Sequence, residues 1–159
     1  MNKAIVTVRK VGNETIRRES ALKASHINRA LVIKKSTPAN MRVSISARLA
    51  GIPISVNALS QGKPFYKANR TKRGLTAKVS KGRPKVIKGG FAHDRFAGGR
   101  AFKRRGRPRL PIQQLYGPSI YSQFKKDHVQ LAMDRTWVKR LRIEIQRAED
   151  FILRTTGII

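Results

Sequence analysis

Carboxylates are what this chain has least of: eight Asp and Glu stand against 36 Lys and Arg, a formal net charge of +28 over 159 residues. A surface that balances its own charge is thereby excluded, and a chain that repels itself this strongly calls for a polyanion beside it, nucleic acid first. Cysteine is absent, which rules out disulfide staples and thiolate metal sites. No apolar run approaches the eighteen or so residues of a membrane span, and Met1–Lys10 lacks the apolar core of a signal peptide. The expectation is a soluble chain made in the cytoplasm. With 40% apolar residues, the length suits one domain with a modest core.

Catalytic constellations are missing too. The few acids are scattered, and His26, His93 and His128 fall in three separate segments. His93-Asp94 is the nearest approach to a general-base pair, but neighbours on a strand point to opposite faces, so a turn salt bridge is expected there. Gly89-Gly90 and Gly98-Gly99 read as hairpin turns, since no phosphate-loop pattern accompanies them. No enzyme, metal, cofactor or small-molecule substrate is expected.

What is present is charge concentrated in one place. Residues 61–110 hold seventeen Lys and Arg against the single acid Asp94, whereas residues 111–159 hold eight against five. Within that middle, Lys103-Arg104-Arg105-Gly106-Arg107-Pro108-Arg109 has the form of a phosphate-holding or minor-groove segment. The candidate polyanion contacts are Lys81, Arg83, Lys85, Lys88, Arg100, Lys103, Arg104, Arg105, Arg107 and Arg109.

The apolar pattern places elements around this region. Ala4, Ile5, Val8, Val11 and Ile16 recur at helical spacing, and Ser25 is a reasonable cap for a second helix through Ala30. Leu31-Val32-Ile33 enters a strand, and Val43, Ile45 and Ala47 alternate along the next. Ile52, Ile54 and Val56 repeat that alternation, which suggests a hairpin turned at Leu49-Ala50-Gly51, with Pro53 at an edge or a strand start. Between 61 and 110 the candidates at 75–80, 86–88 and 101–104 are short and punctuated by glycine, so basic hairpins or loops that protrude beyond the core are expected, with Phe91, Phe96 and Phe102 as anchors. Phe124, Leu131, Val138, Ile145 and Ile152 then lie seven apart, with Leu141 between. They form the seam of a long amphipathic helix that packs on the sheet or on a neighbouring subunit, ended by Gly157. The fold class is α+β: a helical part over 1–36, a mainly antiparallel sheet over 42–116 with basic loops at 61–110, and a C-terminal helix over 120–156, in a single domain.

Asn2–Lys10, Ala30–Asn40 and above all Arg109–Ile120 resemble the minor tail protein Z family of long-tailed bacteriophages. The most specific stretch contains Leu110, Pro111, Ile112, Leu115, Tyr116, Gly117, Pro118 and Ser119, supported by the basic hairpin from Gly90 to Lys103. Relatives carry a helical segment ahead of the position where this chain begins. The resemblance implies a structural virion protein that completes the head-proximal end of the tail, beside the tail terminator and the head connector, as a homo-oligomeric ring through which DNA passes. A ring of six would gather on the order of 170 positive charges around a duplex, sufficient for non-specific phosphate contact. The competing reading is a free nucleic-acid-binding protein of ribosomal or architectural type.

Overall fold

The computed structural model describes residues 1–59, 62–72, 74–82, 84–94, 97–106 and 108–156. Arg83, Phe96 and Arg107, and Gly157 at the expected helix end, lie outside them.

Helix α1 (Asn2–Glu19) forms despite its β-branched residues because Ala4, Ile5, Val8, Gly12 and Ile16 present one buried stripe. It stops where Ser20 turns extended, and α2 (Ala24–Ala30) follows. Lys23, not Ser25, takes the cap position of α2, and no side-chain cap is made there. Strand β1 (Leu31–Lys34) pairs antiparallel with β2 (Ser44–Ala47), Ile33 opposite Ile45. The expected β2–β3 hairpin is therefore absent. β2 turns back to β1, and Leu49-Ala50-Gly51 instead carries the chain into another sheet, beginning at β3 (Ile52–Ser55).

That sheet has the order β10-β3-β4-β5-β6, with β4 (Tyr66–Thr71), β5 (Gly74–Ala77), β6 (Lys85–Ile87) and β10 (Tyr116–Gly117). Its pairs are antiparallel except β3 with β4, which run parallel. Pro53 sits second in an interior strand, at a strand start as expected rather than on an edge. A third sheet, β7 (Gly90–Ala92), β8 (Ala101–Arg104) and β9 (Ile112–Gln114), is wholly antiparallel. The two larger sheets are stitched at Ser55, whose Oγ donates to the Gly99 carbonyl at 3.0 Å, and at Leu115. Leu115 donates its N–H to Ala101 at 2.8 Å, while its carbonyl accepts from Ile54 at 3.1 Å.

Leu75, Ala77 and Ala101 are among the most deeply buried residues. The glycine-punctuated middle thus enters the core instead of only protruding from it. Small side chains make this workable: at Gly90 an added Cβ would meet the Leu75 Cβ at 3.2 Å, so glycine lets β7 cross close over β5. Ile16, Ile27, Leu31, Ile52, Ile54 and Tyr66 complete the centre.

The C-terminal helical region is two elements, α3 (Ile120–Phe124) and α4 (Asp127–Thr155), broken at Lys125-Lys126. Helix α4 packs chiefly on α1 rather than on a sheet. Glu19 at the end of α1 pairs with Lys126 and with His128, the latter at 3.0 Å. Met133 lies so close to Gly12 that a Cβ there would stand 2.8 Å from the sulfur. The buried face is Val129 and Met133, with Trp137 partly covered beyond them. Leu131, Val138, Ile145 and Ile152 of the heptad seam face outward, each at least half exposed, while Phe124 and Leu141 are half-buried.

Candidate polyanion-binding surface

Four of the predicted contacts converge. Lys85 lies on β6, Lys88 follows it, Lys81 opens the turn before it, and Lys103 reaches across from β8, opposite Gly90. All four are exposed, and together they rim a groove of about 1280 Å³ floored by Ile54, Ala77, Val79 and Val86 and closed at one side by Tyr116 and Pro118. The turn carrying Lys81 is fixed to the helices, because its N–H donates to the Glu19 carbonyl at 2.9 Å and Ser80 bridges Ser20.

A second group begins at the next residue of β8, Arg104. The Arg104 guanidinium stands 5.9 Å from the centre of the Phe91 ring, which stacks on Phe102 at 6.2 Å. An arginine held on an aromatic face keeps its outward N–H groups available for phosphate oxygens. Arg105 donates its backbone N–H to Pro111 at 3.2 Å, closing the loop that displays the exposed Arg109. Arg100 differs from its neighbours: it is half-buried where β3 and β8 meet, and its Nε is enclosed without a hydrogen-bond partner. Arg83 and Arg107 lie outside the described residues.

Three of the carboxylates, Asp94, Glu19 and Glu144, are engaged elsewhere. Asp94 pairs with Arg70 of β4, and the hydrogen bond from that guanidinium, with a smaller contribution from the neighbouring His93, holds its carboxyl below the usual aspartate range. Hydrogen bonding from Lys126 likewise lowers Glu19, and Glu144 accepts from Arg147 at 3.2 Å. Among the described residues no carboxylate pairs with Lys81, Lys85, Lys88 or Lys103. Sequence reasoning missed the cations outside the middle third. Arg135, Lys139 and Arg142 line a shallow groove on α4, at i, i+4 and i+7, a spacing that was open to reading.

The most specific sequence stretch turns out to be the joint between the sheets. After the cis Leu110–Pro111 peptide, Ile112 begins β9 and pairs with Arg104. Tyr116 and Gly117 pair with β3, and the Tyr66 ring lies flat against Gly117 where any side chain would collide with it. The Tyr66 hydroxyl donates to the Pro118 carbonyl at 3.1 Å, and burial raises the affinity of that phenol for its proton. Ser119 caps α3, its Oγ accepting from the Ser122 N–H at 3.2 Å.

The profile of prophage minor tail protein Z (GPZ) matches residues 1–155. The chain belongs to that family. It is accordingly a structural component of a bacteriophage tail, and so of the virion. No curated protein and no solved structure shows a significant match. Among the described residues no helix is long and apolar enough to cross a membrane, and no cluster of His, Asp and Glu is suited to a metal ion.

Proposed function

We propose that this minor tail protein Z relative completes the head-proximal end of the tail as a homo-oligomeric ring and helps join tail to head, its basic surface turned toward the DNA. The observation that carries this reading is the display of Arg104, Arg105 and Arg109, all exposed around the turn after β8, with Arg104 held on the Phe91 ring and none of the three paired with a carboxylate among the described residues. Rigid cations without internal partners favour phosphate wherever it passes, and they carry no base-reading geometry. Such a surface suits a conduit, which must hold any sequence and let it move.

These three lie at the β8–β9 connection, and none of them lines the lysine-rimmed groove. Reversal of these three to Glu is expected to leave tails of normal length but to cut the yield of joined, infectious particles at least tenfold, scored by electron microscopy and plaque titre. Unchanged infectivity would remove DNA or head contact from this surface. If two phosphates were met per copy in a ring of six, binding of the assembled ring to duplex would fall with salt at a log–log slope of about −11. A monomer that binds nucleic acid tightly and is absent from particles would instead favour a free nucleic-acid-binding protein.

A further inference from the structure

Helix α4 outruns its support. It lies antiparallel to α1, their paired ends fixed by Glu19 with Lys126 and His128. At about 1.5 Å per residue α1 covers roughly 27 Å and α4 roughly 43 Å, so about 16 Å of α4 extends beyond the start of α1. Exposure agrees with the geometry: every residue from Ile145 to Ile152 is exposed, with Phe151 at 70% and Ile152 at 57%. The overhang carries two of the chain's eight acids, Glu149 and Asp150, beside Arg147 and Arg154, which leaves it near neutral in a chain of +28. Glu149 and Asp150 have no ion-pair partner among the described residues.

We propose that the end of α4 from one copy seats in the lysine-rimmed groove of the next. The proposal rests on the homo-oligomeric reading above and assigns its interface. Charge favours it. In a chain of +28, copies repel at most faces, and the overhang is an exception: Glu149 and Asp150 offset Arg147 and Arg154 and offer two carboxylates to the groove with Lys81, Lys85, Lys88 and Lys103. Phe151 and Ile152 would then cover the apolar floor at Ala77, Val79 and Val86. Side-by-side pairing of two α4 helices is disfavoured, since Arg135, Lys139, Arg140 and Arg142 crowd their middle. An arm on one surface entering a groove on another is a head-to-tail contact, which closes into a ring when its rotation divides a full turn.

The absence of cysteine makes the test clean. In phage carrying Val86→Cys and Ile152→Cys together, mild oxidation of purified particles is expected to give a ladder of linked chains ending at the ring number, with neither single variant linking. Monomers alone from particles with several copies, or linkage through either single cysteine, would overturn this interface yet leave the ring standing. A particle with one copy or none would overturn the ring itself. As a second measurement, Glu149→Lys with Asp150→Lys, and separately Lys85→Glu with Lys88→Glu, should each lower incorporation at least tenfold, and the four changes combined should restore it. Failure of the combined variant to recover, while its folded state is unchanged, contradicts the pairing.

Discussion

The joint at Leu110–Ser119 and the last three turns of α4 are built in opposite ways. In the joint several groups are held inside the chain: Tyr66 against Gly117 and Pro118, Leu115 between two strands, Ser119 on the first turn of α3. In the helix end Ile145, Phe151 and Ile152 are exposed, and Glu149 and Asp150 have no ion-pair partner among the described residues. The resemblance is thus carried in good part by residues that hold the fold, whereas the exposed apolar residues of the helix end are, under the proposed assembly, the ones that meet a neighbouring copy. Mutations should separate the two regions, because changes in the joint register in the isolated chain and changes in the arm register only in assembly.

The largest effect on stability is expected at Gly117. Gly117→Ala drives a methyl into the Tyr66 ring and should cost about 1–3 kcal/mol, read as a lowered denaturant midpoint. Tyr66→Phe comes next: it keeps the ring and leaves the Pro118 carbonyl without its donor, for about 0.5–1.5 kcal/mol. Phe151→Ser with Ile152→Ser should sharpen the contrast, changing the stability of the chain by less than about 0.5 kcal/mol while abolishing incorporation into particles. A loss of stability comparable to that of Gly117→Ala would show that the arm is part of the folded body after all.

The smallest effect concerns pH. Glu19 has its carboxyl held below the ordinary glutamate range by Lys126, so the ionised form is favoured in the folded state. Its contribution is present above the unfolded-state value and is lost as pH falls through the folded one. The pair is about half exposed, so the contribution is under about 1 kcal/mol, and Glu19→Gln should flatten that part of the acid limb of a stability–pH curve.

Much of the frame was legible. The α1 stripe is a plain helical repeat, and Ile45 and Ala47 face the core as their alternation requires. Strand β4 went unread because only Tyr66 and Ala68 point inward among Lys67, Asn69 and Arg70. The break at Lys125-Lys126 was hidden by an unbroken count of seven from Phe124 to Leu131. That heptad count also could not say which neighbour covers the seam. Val129 and Met133 form a second apolar row on α4, and α1 takes that one. For the basic surface, charge was readable but not grouping: Lys81, Lys85 and Lys88 meet Lys103 only because β7 crosses closely over β5 at Gly90. The run of arginines gave no sign that Arg100 would turn inward between two sheets.

Under the proposed closed ring at the tail's head-proximal end, the number of copies per particle is fixed. That number is read by quantitative mass spectrometry of purified, nuclease-treated particles against the major tail protein. A small fixed number, near six or twelve, is the predicted result, and absence from the particle would contradict it.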